Sequence, residues 1–266
     1  MKRKKNKAVS FFAACMAILL VCSTLIWGFQ TSWGSVKIKR LNLTSQDGTT
    51  VSSLIYIPKN ATDETPAPVA VIYHGRSNHA HSNDTWSMEL ARRGYVVLSP
   101  SVDRSIQAKT VAEYANSLSY VEKDAINLIG YSAGTQTVLQ TYKAMPDQVK
   151  SICEVFGPFM IQMAGGIDDV DTDFCLIKSD ADQYDYFFIG DPQACTDYVT
   201  KASGLPEVVS GQDYDRNGKL FRYSEIGGTL HQTGNISGET IQAILSFEAA
   251  VNNEPVARTV DDTAWL

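Results

Sequence analysis

The most constraining feature of the sequence is a Gly-x-Ser-x-Gly motif formed by Gly130, Ser132 and Gly134. It follows an apolar run at residues 125–129, which is typical of a strand buried on both faces, and it opens a helical pattern at residues 133–145. A serine in this context lies on a strained turn that exposes its oxygen, and side chains at the two glycines would collide with the neighbouring strand and helix. The motif therefore predicts a nucleophilic Ser132 between a buried strand and a helix.

Predicted strands and helices alternate through most of the chain. Short apolar runs predict strands at residues 69–73, 95–98, 125–129, 149–155 and 174–177. Amphipathic patterns predict helices at residues 83–93 (with Asp84 as N-cap), 111–121, 133–145, 191–202 and 238–251. An antiparallel hairpin precedes them, with strands at 36–43 and 51–57 and a turn at Asp47-Gly48. Since no linker or repeat interrupts this order, the sequence predicts one doubly wound, mostly parallel α/β sheet.

The first 34 residues (1–34) are predicted to be a basic head and a transmembrane helix. Five cations, Lys2, Arg3, Lys4, Lys5 and Lys7, precede an uncharged apolar stretch at residues 8–29, which as a helix would be about 33 Å long. Positive charge ahead of such a stretch predicts that the amino terminus lies inside the cell and the body outside. We expect a retained membrane anchor, because the stretch is longer than a usual signal peptide and no Ala-x-Ala site follows it. Secretion after signal cleavage and lipid modification at Cys22 are the alternatives.

The rest of the chain divides into a domain at residues 35–251 and a polar tail at residues 252–266. The whole chain carries 23 Lys and Arg against 29 Asp and Glu, so without the five N-terminal cations 18 remain against 29, a net charge of −11. This net negative charge argues against nucleic acid as a partner. Its cysteines, Cys153, Cys175 and Cys195, match no zinc spacing and are predicted to be buried free thiols, with one disulfide as the alternative.

Two backbone N–H groups are predicted to bind a developing oxyanion. One belongs to Ala133, which follows the serine at the positive end of a helix. The other is expected in the turn after the strand at residues 69–73, where Arg76 is the predicted donor. His74 lies in the same turn and is expected to hold the loop through its ring nitrogens rather than to act as a base.

Taken in chain order, these motifs resemble those of the α/β-hydrolase family: a His74-Gly75 loop, the turn at residues 130–134, an acid after a later strand and a histidine near the end. The resemblance covers residues 35–251, and the chain is similar to the small, lidless esterase and dienelactone-hydrolase branches. The segment at residues 101–119 is short and only moderately apolar, which disfavours a large lid.

The resemblance implies a catalytic triad in the order nucleophile, acid, histidine. His231 is the sole histidine after Ser132 in the sequence, so it is the one imidazole there that could act as the base. The family's strand-Gly-x-x-Asp pattern, placed with Ser179 at the glycine, implies that Asp182 orients this histidine. Because Ser179 departs from the pattern, Asp180 and Asp185 are alternatives for the acid.

These residues predict a serine hydrolase that cleaves small-molecule carboxylic esters through an acyl-enzyme, without a metal or an organic cofactor. An extracytoplasmic peptidase or amidase is the alternative enzyme, and a catalytically silent binding module is the alternative outside enzymes. The loops at residues 78–83 and 159–173 are expected to shape the substrate pocket.

Two patterns resemble metal sites but have simpler interpretations. Residues 213–218 match the start of a calcium loop, yet the acid expected at position twelve is replaced by Ser224. A hairpin turn at Asn217-Gly218, between strands near residues 208–209 and 220–221, explains the same residues. His79, His81 and Asp84 are interpreted as a polar loop at the substrate entrance rather than as metal ligands.

Overall fold

The structure, a computed structural model, describes residues 2–76, 79–102 and 105–253. In this part of the chain, nine strands form one mixed sheet. Their bounds are β1 Val36–Thr44, β2 Thr50–Pro58, β3 Ala67–Tyr73, β4 Val96–Pro100, β5 Val121–Tyr131, β6 Val149–Val155, β7 Asp173–Ser179, β8 Asp213–Arg216 and β9 Lys219–Ile226. The order across the sheet is β1-β2-β4-β3-β5-β6-β7-β9-β8.

The centre of the sheet is parallel and both of its ends are antiparallel. Strands β4, β3, β5, β6, β7 and β9 pair in parallel, whereas β1, β2 and β8 are antiparallel to their neighbours. All seven residues of β3 are buried, as expected for a strand covered on both faces. The predicted doubly wound, mostly parallel sheet is confirmed.

Helices cover both faces of the sheet. Their bounds are α1 Lys2–Gln30, α2 Asp84–Arg92, α3 Ser105–Ser117, α4 Gly134–Ala144, α5 Pro158–Met163, α6 Gln183–Phe188, α7 Pro192–Ser203 and α8 Gly238–Val251. Buried side chains of α3, α4 and α7 form a core on one face, and those of α2 and α8 form a core on the other. Alternate residues of β3 enter the two cores, Val69 and Val71 the first, Ala70 and Ile72 the second.

Several local expectations were wrong. The helix predicted at residues 111–121 is α3, which begins six residues earlier at Ser105 and ends at Ser117; Ala108 already faces the core there, but polar neighbours hide the pattern. The strand predicted near residues 208–209 lies further along the chain, as β8 at Asp213–Arg216. Asp84 is the first residue of α2 rather than its N-cap, because a 3₁₀ helix at Ala80–Asn83 leads directly into α2. The predicted tail at residues 252–266 lies outside the described residues, except for its first two.

The apolar N-terminal helix joins the body at one defined edge of the sheet. Within α1, the span Lys7–Phe29 has a mean hydropathy of 2.5 and is long and apolar enough to cross a membrane. The chain then enters β1, whose first residue Val36 pairs with Pro58 at the end of β2. Since β2 runs antiparallel to β4, this end lies at the edge where the parallel strands begin. The carboxyl ends of the parallel strands lie at the opposite edge.

Candidate active site

Ser132 lies in the turn between β5 and α4. Its backbone φ is +53°, in the left-handed region that side chains other than glycine rarely adopt. Two hydrogen bonds hold this conformation, since the Ser132 N–H donates to the Val155 carbonyl (2.9 Å) and the Thr135 N–H donates to the Ser132 carbonyl (2.9 Å). The strained turn brings the serine to the wall of a cavity at the carboxyl edge of the sheet.

The two glycines that flank Ser132 are required by close backbone packing. A Cβ atom at Gly134 would lie 2.3 Å from the carbonyl oxygen of Tyr73, and a Cβ atom at Gly130 would lie 2.8 Å from the carbonyl carbon of Gly134. Both contacts are with backbone atoms, which no side-chain rotation can relieve. The glycines therefore allow β3, β5 and α4 to pack tightly around the serine.

The structure brings Ser132, His231 and Asp182 into one hydrogen-bonded chain. The distance from Ser132 Oγ to His231 Nε2 is 2.8 Å, and the distance from His231 Nδ1 to Asp182 Oδ2 is 2.7 Å. His231 begins a short 3₁₀ helix, His231–Ile236, in the connection after β9. Asp182 follows β7 as the N-cap of α6, and its other oxygen accepts the Tyr184 N–H (2.9 Å). All three side chains lie beyond the carboxyl ends of parallel strands, where α/β folds bind ligands.

The two alternative acids lie elsewhere. Asp180 is exposed, and its Oδ1 accepts the N–H of Gly228 (2.6 Å). Asp185 is buried inside α6 and accepts the N–H of Phe159 (3.2 Å). Burial, together with the negative charge of Asp182, raises the pKa of Asp185 to about 8. The geometry thus favours Asp182 as the partner of the imidazole.

Aromatic rings enclose the His231 imidazole. Tyr131 stacks on it with a centroid distance of 5.7 Å and an interplanar angle of 22°, and Tyr184 meets it edge-on at 4.6 Å. Phe156 and Phe159 approach it at 5.8 and 5.7 Å. The Tyr131 hydroxyl also donates a hydrogen bond to the His231 carbonyl, and burial raises the pKa of that phenol. The imidazole is therefore held by its hydrogen bonds and by packing on several sides.

The backbones predicted to bind an oxyanion border the same cavity. Ala133 and Arg76 both line it, and neither N–H donates to an acceptor within the described residues. His74 belongs to the same loop as Arg76 but does not line the cavity. Its Nε2 accepts the Val102 N–H (3.2 Å), so its Nδ1–H donates to the Gly75 carbonyl (2.7 Å). This is the loop-holding arrangement predicted from the sequence.

The cavity has a volume of about 450 Å³ and is open to solvent. Ser132, His231 and the backbones of Ala133 and Arg76 line it together with mainly aromatic and thioether side chains. Arg76 is the only Arg, Lys, Asp or Glu that lines it among the described residues. The lining consists of Gly75, Arg76, Tyr131, Ser132, Ala133, Phe159, Met160, Met163, Tyr184, Phe188, His231, Gln232 and Asn235.

No family model and no curated protein matches the chain, whereas solved structures do. An esterase from the hyperthermophilic archaeon Pyrobaculum calidifontis aligns with a TM-score of 0.60 and 14% identity, covering 82% of this chain and 85% of that one. Est1E from Butyrivibrio proteoclasticus aligns with a TM-score of 0.61 and 14% identity, covering 81% and 99%. A dienelactone hydrolase-like promiscuous phosphotriesterase from metagenomic libraries aligns with a TM-score of 0.59 and 13% identity, covering 83% and 98%. The chain has the α/β-hydrolase fold.

Within this α/β-hydrolase fold, the metal-like patterns have structural roles. The Asp215 Oδ1 accepts the Gly218 N–H (2.7 Å) and so closes the turn between β8 and β9. His81 Nδ1 lies 2.9 Å from Asp84 Oδ2, and Asp84 also accepts the Tyr56 hydroxyl (2.6 Å). These contacts are those of a hairpin and of a polar loop, as the sequence indicates.

The aromatic side chains of the cavity could not be predicted individually from the sequence. Phe159 and Met163 do lie in the segment expected to shape the pocket, but Tyr184 and Phe188 come from α6. Helices α5 and α6 span six residues each, which is too short for a 3.6-residue period to be recognised. Of the other predicted pocket loop, residues 78–83, Asn78 lies outside the described residues, and none of residues 79–83 lines the cavity, so this expectation was wrong for the described part of the loop.

Proposed function

We propose that this protein is a serine hydrolase that cleaves carboxylic esters through an acyl-enzyme intermediate. One observation carries the proposal: Ser132 Oγ lies 2.8 Å from His231 Nε2, and His231 Nδ1 lies 2.7 Å from the buried Asp182 carboxylate, at the wall of an open cavity. A hydroxyl, an imidazole and a carboxylate in this arrangement are the groups that acyl transfer requires.

In the first half of the reaction, Ser132 Oγ attacks the carbonyl carbon while His231 Nε2 accepts the hydroxyl proton. The N–H groups of Ala133 and Arg76 stabilise the negative carbonyl oxygen of the tetrahedral intermediate. The bond from carbon to the alcohol oxygen then breaks, and His231 returns its proton to that oxygen. Asp182 accepts the Nδ1–H bond throughout and stabilises the imidazolium.

In the second half, water replaces the alcohol. His231 takes one proton from the water molecule as its oxygen attacks the acyl carbon. The bond to Ser132 Oγ breaks, His231 protonates the serine, and the acid product leaves. The imidazole must be neutral at the start of each half, because only an unprotonated Nε2 can accept a proton from the serine or from water.

Similar structures support a hydrolase, since the Pyrobaculum calidifontis protein is named an esterase and another neighbour a dienelactone hydrolase-like enzyme. The fold also hosts other chemistries, so the bond cleaved is inferred from this chain's own site. Esters are favoured over amides because an alkoxide leaves with less assistance than an amine.

A fluorophosphonate probe tests the nucleophile. We expect covalent labelling of the wild type at Ser132, and no labelling after Ser132→Ala. Labelling of both proteins alike, or of neither, would refute the serine hydrolase. Paired ester and anilide substrates with the same acyl group then separate an esterase from an amidase, which should cleave the anilide at a comparable rate.

We also propose that the apolar helix at Lys7–Phe29 is a membrane anchor and that the domain lies on the outer side. The basic head before the helix supports this orientation, and a cleaved signal sequence is the alternative for the same residues. The mass of the mature N-terminus distinguishes the two.

A further inference from the structure

Three aromatic rings form a continuous surface along the cavity, which we call the aromatic wall: Tyr184, Phe159 and Phe188. The Phe159 and Phe188 rings are almost parallel, with an interplanar angle of 9° and centroids 5.3 Å apart. Tyr184 also stacks on Phe159, with an interplanar angle of 20° and centroids 5.8 Å apart. All three line the cavity, and Phe188 and Tyr184 supply most of the exposed carbon surface there, since Phe159 itself is only 6% exposed.

Two rings of the aromatic wall lie beside the imidazole that would protonate the leaving alcohol. Tyr184 and Phe159 contact the His231 imidazole, with centroid distances of 4.6 and 5.7 Å. In the proposed mechanism His231 Nε2 must come within hydrogen-bond distance of the departing alcohol oxygen to protonate it. The first atoms of the alcohol group are therefore placed beside these two rings.

The aromatic wall is only partly covered within the described residues. Phe188 is 45% exposed and Tyr184 is 39% exposed, beside Met163 at 58%. Exposed apolar surface rimmed by polar groups is typical of a ligand-binding surface. A membrane around α1 would lie at the other edge of the sheet, where the parallel strands begin. A substrate group is thus favoured as the occupant.

We propose that the aromatic wall selects esters whose alcohol part carries a planar aryl ring. This inference rests on the proposed serine hydrolase and adds its substrate class. A cavity of about 450 Å³ is large enough for a benzyl-sized group beside the ester. Parallel packing of one more ring on the wall favours a flat ring over a saturated ring of the same carbon skeleton, because only the flat ring matches the stacked geometry.

The test compares benzyl acetate with cyclohexylmethyl acetate, which share the acyl group, the ring size and a primary alkoxide leaving group. We expect a kcat/KM ratio in favour of the benzyl ester of about two- to tenfold, the range that aromatic pairing adds beyond buried area. A ratio of one or below overturns the inference. A second pair, methyl phenylacetate and methyl cyclohexylacetate, places the ring on the acyl side. Selectivity for the flat ring in this pair but not in the first also overturns the inference.

Three variants locate the selectivity. Phe159→Leu and Phe188→Leu are expected to bring the ratio close to one, chiefly through a higher KM for the benzyl ester. Phe187→Leu is the matched control, since this ring is 81% exposed and does not line the cavity; it should keep the wild-type ratio. Both esters are measured on one preparation, so the ratio does not depend on the folded fraction. An unchanged ratio in both wall variants contradicts the proposal.

The same experiment separates failure of the inference from failure of the proposed function. Turnover of both acetates at equal kcat/KM, with Ser132 labelled by the phosphonate, refutes the aryl selectivity alone. No turnover of any ester, together with no labelling of Ser132, refutes the hydrolase and the inference with it.

Discussion

At the scale of single residues, Asp182 is positioned by a helix start. As the N-cap of α6 it uses one carboxylate oxygen to accept the Tyr184 N–H, which leaves the other for His231 Nδ1. One buried carboxylate therefore fixes both the first turn of a helix and the orientation of the imidazole. An uncharged amide at this position would present a donor to Nδ1 and favour the tautomer whose Nε2–H faces Ser132.

The first prediction follows from that tautomer. Asp182→Asn is expected to lower kcat for an ester by about 10⁴-fold, as for the equivalent carboxylate-to-amide change in a serine protease triad, because Nε2 can no longer accept the serine proton. Asp180→Asn is the matched control and should retain activity, since Asp180 bonds to Gly228 rather than to His231. The measurement is kcat of both variants on one ester. A larger loss of kcat in Asp180→Asn than in Asp182→Asn would show that Asp180 is the acid that orients His231.

Sequence patterns predicted some of these residues and not others. Ser132 can be predicted because close backbone packing requires glycine on both sides of it. His231 can be predicted because it is the last histidine in the chain. The family pattern already implied Asp182 but left Asp180 and Asp185 open, because all three follow β7, and burial and hydrogen bonding in the structure favour Asp182. The aromatic wall has no local pattern, since its rings meet only through the packing of α5 against α6.

At the scale of elements, the closest approach of α4 to β3 depends on Gly134. Gly134→Ala would place a Cβ atom 2.3 Å from the Tyr73 carbonyl oxygen, so strand and helix must separate. We expect a loss of stability of about 2 kcal/mol or more, seen as a fall in thermal midpoint of at least about 4 °C. Gly227→Ala is the control, because nothing lies within 4 Å of a Cβ there. Equal midpoints for both variants would contradict the packing requirement.

Helix α8 buries a carboxylic acid that couples stability to pH. Burial raises the pKa of Glu248 to about 8, and the positive charge of Lys150 opposes the shift. An unfolded glutamate has a pKa of about 4, so between about pH 4 and pH 8 the folded state retains a proton that the unfolded state releases. The free energy of unfolding therefore falls as pH rises through this window.

Glu248→Gln tests this coupling, because the amide cannot ionise. The stability of the variant relative to the wild type is expected to rise between pH 5 and pH 8, by up to about 1.4 kcal/mol per pH unit. Urea unfolding in detergent at several pH values measures the difference. Glu239→Gln, an exposed position on the same helix, is the control for the loss of one carboxylate. A Glu248→Gln curve that runs parallel to the wild type would refute the coupling.

At the scale of the whole molecule, alternation of buried strands and amphipathic helices was sufficient to predict the sheet. It was not sufficient for the β8 strand, which is four residues long and largely exposed at the sheet edge, so no apolar run marks it. Nor could alternation show on which edge each loop lies. The direction of each strand decides the edge at which its connections lie. These directions place the N-terminal helix and the triad at opposite ends of the parallel strands.

This separation yields the last prediction, that the proposed anchor contributes location but not catalysis. The two edges are about 20–25 Å apart along a seven-residue strand such as β6. The described contacts of α1 with the body include the Arg92 guanidinium donating to the Phe29 carbonyl, at the edge far from Ser132. Deleting residues 2–34 should therefore move ester hydrolysis from the membrane fraction to the soluble fraction and leave kcat/KM unchanged. Wild-type activity already in the soluble fraction would indicate a cleaved signal, and a folded soluble body with reduced kcat/KM would show that the helix supports the site.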